Sequence, residues 1–123
     1  MTTLEAIDQE ITGLFKDLTQ VMWKRLAPIL GTVTTQHLFR QGVSKNLGEF
    51  AWLSAVEFTE EGPRFGEPDG VARPVDQIEV RKGLAAVVKT VLDILTVLTG
   101  DILTNDLQPA VEEFVKRASI EAA

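Results

Sequence analysis

Cysteine is absent from this 123-residue sequence, and histidine occurs only once, at His37. The absence of cysteine excludes disulfides, thiol catalysis and cysteine-ligated metal sites. Zinc sites in proteins usually have three or four nitrogen or sulfur ligands, which one imidazole cannot supply. Carboxylate-rich metal sites stay open, but no spacing favours one. We therefore expect no metal site, and no motif identifies a catalytic residue.

Positive charge is also scarce, with 12 lysines and arginines against 18 aspartates and glutamates, a net charge of −6. An acidic surface repels the phosphates of nucleic acids and of anionic lipids, so we expect neither nucleic acid nor a membrane as a partner. Hydrophobic residues make up 45% and charged residues 24%, which is typical of a folded domain. The length predicts a single domain, residues 1–123.

The sequence gives no indication of a targeting or membrane-spanning segment. The first ten residues, MTTLEAIDQE, are polar and acidic, unlike a signal peptide. The most apolar run, GLAAVVKTVLDILTVLTGDIL, is long enough to span a bilayer. It contains Lys89, Asp93 and Asp101, which are costly in that environment. We therefore expect a soluble cytoplasmic protein.

The first helix is predicted by a stripe of apolar residues. Separations of three and four residues repeat over nearly three heptads, as along one face of a helix. Thr2 and Glu5 fit a capping box at its start. The stripe packs either within its own domain or partly against a second subunit. Its members are Leu4, Ile7, Ile11, Leu14, Leu18 and Val21.

A break is expected between the first helix and a second one. Pro28 and Gly31 interrupt the helical pattern near residues 27–31. The second helix then extends from about Thr32 to Leu47, before Gly48.

A β-hairpin is predicted after the second helix. Residues alternate in FAWLSAVEFTEEGPRF, which favours strands Leu53–Thr59 and Pro63–Phe65 joined by a turn. Residues 66–74, GEPDGVARP, have the composition of a loop. An isolated hairpin is marginal in water, so this one must pack on the helices or pair with a partner strand.

The third helix has the best-marked start. Asp76 is its expected N-cap, with Glu79 three residues later, and the helix extends to about Thr99, before Gly100. Eleven of the sixteen residues from Leu84 to Thr99 are apolar, so most sides of this helix need cover. Because a chain this small can hardly supply that cover alone, we predict a homodimer.

A fourth helix is predicted from about Leu107 to Ile120, with Asp106 as its cap. The predicted fold class is therefore mainly α: a four-helix bundle-like domain with a small β-hairpin between the second and third helices. The stripe of the first helix and the surplus apolar surface of the third are the candidate dimer interfaces.

The second helix raises the question of a functional site. On a helical wheel at ~100° per residue, Arg40 falls near the centre of an apolar side, and His37 and Ser44 fall near its edge. A buried guanidinium needs a carboxylate or a ligand. The apolar side is formed by Ile29, Leu30, Val33, Phe39, Val43 and Leu47.

Three interpretations of these polar residues are open. In the first, Arg40 pairs inside the protein with Asp93 of the third helix, or with Glu57 of the hairpin. In the second, His37, Arg40 and Ser44 are donors in a pocket for a small anionic ligand. In the third, the helix bends at a glycine and these groups face water. The predicted apolar lining of the pocket is Trp23, Trp52, Met22 and Phe39.

The segment HLFRQGVSKNLG resembles the phosphate-accepting segment of histidine phosphotransfer domains, which are acidic four-helix bundles of about this length. In that family an exposed histidine precedes an apolar residue, a lysine, a glycine and a leucine–glycine pair. Phe39 and Arg40 match the apolar and cationic positions. Gln41 stands in place of the glycine, the leucine–glycine pair is displaced by one position, and the family has no hairpin. The resemblance implies that His37 is an exposed phosphoryl acceptor.

We expect a regulatory role rather than an enzymatic one. The chain would be a small sensor or protein-interaction module that acts as a homodimer and binds an anionic ligand between the second and third helices. The alternatives are a histidine phosphotransfer-like protein using His37 and a purely structural dimerisation domain. Haem ligation by His37 is conceivable, but a lone histidine is more often a core residue, so no cofactor is expected. The predicted ligand-binding residues are His37, Arg40, Ser44, Asp93 and Trp52.

Overall fold

The structure is a computed structural model that describes residues 3–66 and 75–122, with side chains described up to residue 119. A small antiparallel sheet of two strands follows α3 and a 3-10 turn, Ala51–Ala55. A mainly helical chain with a small two-stranded sheet was predicted, and this is confirmed. The elements are α1 Leu4–Ile7, α2 Gln9–Leu30, α3 Thr32–Asn46, β1 Val56–Thr59, β2 Gly62–Phe65, α4 Gln77–Thr99 and α5 Asp101–Ala122.

The ends of α4 are set by local chemistry. The Asp76 carboxylate accepts a hydrogen bond of 2.8 Å from the backbone N–H of Glu79, which satisfies a free donor of the first turn. Gly100 follows the last residue with φ at 77°, a conformation open to glycine but costly for other residues. Both predicted ends of this helix are confirmed. Gly31, with φ at 87°, separates α2 from α3 in the same way.

The predicted course of the first helix is wrong at Asp8. The first helix is divided at Asp8, which leaves helical geometry and caps the start of α2 through the N–H of Ile11. Thr3 caps α1, and Thr2, the predicted cap, lies outside the described residues. Of the loop predicted over residues 66–74, the part 67–74 also lies outside them.

The last helix also begins earlier than predicted. It starts at Asp101, directly after Gly100, so Asp106 lies within it and is not its cap. The hydroxyls of Thr96 and Thr104 are 2.6 Å apart and join the ends of α4 and α5 across this turn. The connection between the two helices is therefore a single residue.

An aromatic cluster fixes the sheet onto the helices. The ring of Phe15 in α2 lies 6.1 Å from that of Phe58, 5.9 Å from that of Phe65 and 6.0 Å from that of Phe114 in α5. Phe58 also stacks on Phe39 of α3 at 5.1 Å. Two strands are marginally stable alone, and this packing supplies the apolar contacts that they lack.

The chain itself covers most of α4. Its apolar residues from Leu84 to Leu95 are buried or half-buried, because α4 packs against α1, α3 and α5. The expectation that one chain cannot cover this segment is therefore wrong over residues 84–95. The two long helices α3 and α5, together with α1, cover more surface than the sequence pattern suggested. Within residues 84–99, only the apolar side chains of Val97 and Leu98, which are 86% and 60% exposed, extend beyond that cover.

Two glycines allow α4 to be approached closely. A Cβ placed on Gly83 would lie 2.2 Å from Cζ2 of Trp52, because the indole ring packs directly against the helix backbone. A Cβ on Gly42 of α3 would lie 2.6 Å from a methyl carbon of Val91. The Trp52 indole N–H is buried and has no hydrogen-bond partner among the described residues. Close ring packing therefore holds Trp52 in place, with no polar contact.

A buried ion pair joins the start of α2 to α4. Nε of Arg81 lies 2.6 Å from one carboxylate oxygen of Asp8 and Nη2 lies 3.3 Å from the other. Both side chains are 2% exposed. Nη1 of Arg81 also donates to the carbonyl of Arg117 in α5, at 3.3 Å. Asp8 and Arg81 therefore link three helices.

Replacing Gly83 with alanine should lower the free energy of unfolding by about 1–3 kcal/mol, because the new methyl group overlaps the Trp52 ring. Gly13 is a matched control within α2, where a Cβ meets no atom within 4 Å. Gly13→Ala should stabilise the protein by about 0.5–1 kcal/mol through helix propensity. Urea denaturation measures both changes, and effects of the same sign would contradict the close approach of Trp52.

Asp8→Asn should lower the free energy of unfolding by about 3–5 kcal/mol, since the Arg81 charge is left buried without its carboxylate. Glu10→Gln is the control. A Glu10 oxygen lies 3.7 Å from Nη2 of Arg81 but the side chain is 65% exposed, so the loss should stay below about 1 kcal/mol. The double variant Asp8→Leu/Arg81→Met should recover part of the stability. Equal losses for Asp8→Asn and Glu10→Gln would contradict this role.

Candidate functional site

The predicted donors of the second helix face solvent. His37, Arg40 and Ser44 lie on one stripe of α3, as expected, but all three are exposed. Arg40, which the helical wheel placed near the centre of an apolar side, is not buried, and among the described residues its Nη2 donates to the carbonyl of Phe58 alone, at 3.4 Å. The ring of His37 lies 3.5 Å from the amide nitrogen of Gln41. This arrangement corresponds to the third interpretation, in which these groups face water.

The helical wheel placed the inner face of α3 on the wrong side, because it treated residues of two helices as one helix. Ile29 belongs to α2, beyond the break at Gly31, and Val33 is 80% exposed. When Ile29 and Val33 are left out, the buried side of α3 is no longer the side on which Arg40 lies. It is built from small as well as large residues, namely Thr35, Leu38, Phe39, Gly42 and Val43.

The other predicted site residues are not brought to this stripe. Asp93 is exposed on α4, and neither Arg40 nor Asp93 forms an ion pair within residues 3–66 and 75–119. Trp52 is buried against Gly83. Arg40 and Glu57 line a depression of about 270 Å³. It includes none of the other four predicted residues, so the predicted anionic pocket is not assembled there.

A larger depression lies between α2 and the hairpin. Its volume is about 510 Å³, and its lining includes Trp23, Phe39 and Phe58. Trp23 stacks on Phe39 with the ring centres 6.4 Å apart, so part of the predicted apolar lining is brought together. The charged residues around it balance each other and select for neither sign of ligand. They are Lys16, Lys24, Arg64, Asp17, Glu60 and Glu61.

The sequence contained a signal for the buried ion pair that pattern reading missed. Asp8 lies four residues after Leu4, and Arg81 lies three residues before Leu84, so the helical spacing of the sequence places each in line with apolar residues. One acid and one base in such positions indicate a buried pair between helices. At the surface, Arg25 of α2 pairs with Asp106 of α5, and that hydrogen bond, reinforced by the carboxylate charge, raises the pKa of Arg25.

Exposed large aliphatic side chains flank each of the two glycine turns, Gly31 and Gly100. We call these side chains together the apolar turn surface. Residues 26–35 and 94–100 include no charged residue, although 24% of the chain is charged. Large exposed apolar side chains without nearby charge are typical of the core of a protein–protein interface. The apolar turn surface is formed by Ile29, Val33, Val97, Leu98 and Ile102, which are 59–86% exposed.

In the described part of the chain, no helix combines the length and apolarity that crossing a membrane requires. Those residues also contain no cluster of three or more histidine, aspartate or glutamate side chains that could hold a metal ion. Comparisons with protein-family models, with curated proteins and with solved structures gave no significant match.

Proposed function

We propose that this chain is a small cytoplasmic interaction module that acts as a homodimer, joined through the apolar turn surface. The observation that supports the proposal is the exposure of five large aliphatic side chains, four of them within the two uncharged segments and the fifth, Ile102, two residues after the second segment. Scattered exposed aliphatics are ordinary on protein surfaces, whereas a contiguous uncharged group of them favours association.

The proposal requires that the two glycine turns lie at the same end of the molecule. Arg25, five residues before the end of α2, pairs with Asp106, five residues after the start of α5. At the other end of α3, the side chain of Asn46 donates to the hydroxyl of Thr90 at 2.9 Å. These contacts fit antiparallel neighbours in a four-helix bundle-like domain. In such a domain Gly31 and Gly100 come together.

Self-association has to overcome like-charge repulsion, because each copy has a net charge of −6. A surface without charges avoids bringing carboxylates together, since like charges in contact oppose binding. Burying one exposed valine, leucine or isoleucine contributes roughly 1–2 kcal/mol. Ten such side chains in a symmetric dimer therefore contribute enough to offset an association cost of about 4–15 kcal/mol. The expected contact is isologous, with the same surface on both subunits.

The double variant Leu98→Glu/Ile102→Glu should be a monomer of 13.5 kDa at concentrations where the wild type sediments at twice that mass. Two carboxylates on each surface would meet their own copies across the interface. Ile78→Glu is the matched control, because Ile78 is 46% exposed in the first turn of α4, away from the glycine turns. A wild type that stays monomeric at about 100 µM would refute the dimer, because this concentration is well above the dissociation constants of typical specific interfaces.

A second candidate, a phosphotransfer-like function, is favoured by one observation: His37 is exposed on the solvent side of α3. In this reaction a ring nitrogen of His37 attacks the phosphorus of an acyl phosphate. A nitrogen–phosphorus bond forms, the phosphorus–oxygen bond to the carboxylate breaks, and the ring proton passes to water. Arg40 lies one turn further along the same stripe, where its charge could face the transferred group.

Incubation with acetyl phosphate tests this second candidate. We expect one acid-labile phosphoryl group per chain in the wild type and none in His37→Gln. Gln41→Ala should keep the labelling, because Gln41 contacts His37 but has no reacting nitrogen. A wild type that stays unlabelled, or a label that persists in His37→Gln, would exclude it.

A further inference from the structure

A groove with cationic edges lies between α4 and α5. Its volume is about 510 Å³, within the range of protein binding sites. We call it the cationic groove and define it by its apolar floor, Ala85, Ala86, Val115 and Ala118, and by the lysines at its edge, Lys82 and Lys89. From this geometry we propose that the cationic groove binds an acidic amphipathic helix of a partner protein.

The floor of the groove suits the apolar face of a helix. Alanines at three of its four positions leave room for large side chains of a partner and allow its backbone to come close. One wall is Phe50, which packs edge-to-face on Trp52 at 6.1 Å. Because Trp52 is itself fixed against Gly83, the wall is held in position before binding, which lowers the cost of association.

The lysines at the edge of the groove favour a partner with negative charge. Lys82 and Lys89 are exposed, and neither forms an ion pair with any residue in the described ranges. Arg81 also lines the groove, but Asp8 neutralises its charge. Among the side chains that the structure describes, Glu49 is the one acidic residue of the lining. Within this part of the chain, two lysines without an ion pair therefore lie beside one carboxylate, on a chain whose net charge is −6.

The spacing of the two lysines indicates a helix as the occupant. They are seven residues apart on α4, which is two turns and about 10.5 Å along the helix axis. A partner helix lying along the groove brings carboxylates seven residues apart to both lysines, while the leucines between them enter the alanine floor. A nucleic acid would meet the repulsion of the acidic chain. A single small carboxylate would engage only one lysine at a time.

Two fluorescein-labelled peptides of 14 residues test the proposal by fluorescence anisotropy. Both place a leucine stripe on one face of a helix, and the stripe is flanked by glutamates in one peptide and by lysines in the other. We expect the acidic peptide to bind the wild-type protein at least about tenfold more tightly than the basic one, a difference of about 1.4 kcal/mol. Lys82→Glu/Lys89→Glu should reverse that preference.

The control is Lys24→Glu/Lys45→Glu, which changes the net charge equally at two exposed lysines outside the groove. It should keep the preference for the acidic peptide, and thermal unfolding confirms that both double variants fold. The proposal is wrong if neither peptide binds at about 1 mM, or if the control loses the preference equally. Leu98→Glu/Ile102→Glu should bind the peptide normally, so failure of the dimer and failure of the groove are distinguishable.

Discussion

The buried ion pair between Asp8 and Arg81 is the constraint on which the arrangement of the helices depends. Removing both charges from water is expensive, and the cost is offset only because the carboxylate accepts the two guanidinium bonds and the Ile11 N–H. The start of α2 adds the favourable field of its helix dipole. Since such a pair adds little net stability compared with apolar packing, we infer that its main effect is to favour one alignment of the start of α2 with α4.

Close packing fixes the other helix positions. Gly42 lets α3 approach Val91 of α4, and Gly83 lets the Trp52 ring lie on the backbone of α4. Both glycines cost helix propensity, by about 1 kcal/mol each relative to alanine. The close packing that the glycines allow offsets this cost, because a methyl group at either position would separate the surfaces now in contact. The two-stranded sheet is held in a similar way, through Phe15 and its three aromatic neighbours.

The charges of this acidic chain are distributed unevenly over its surface. The apolar turn surface has almost none, the groove beside Trp23 has balanced charges, and the cationic groove has two unpaired lysines. The alanines and Phe50 shape the cationic groove, and Trp23 and Phe39 line the groove with balanced charges. The proposed self-association and the proposed binding of an acidic helix use different surfaces, so the two contacts do not compete.

The sequence by itself determined those features that depend on residues a few positions apart. Asp76, Gly100 and Gly31 set helix ends through hydrogen bonds and backbone conformations within one turn, so α4 and the start of α3 were predicted correctly. The mainly helical class and the small sheet followed from apolar spacing. The start of α5 was missed because a single glycine serves as the whole connection between two helices.

Only the tertiary structure decided which face of each helix is inside and which charges meet. Asp8 and Arg81 are 73 residues apart. Their positions in line with apolar residues mark both as candidates for burial, but that pattern does not determine that they pair with each other. Arg40 faces water because the break at Gly31 removes Ile29 from its helix and turns the inner face toward Leu38 and Gly42. The physical reason is that capping energy is local, whereas burial is a property of the surfaces that all the helices present to one another at once.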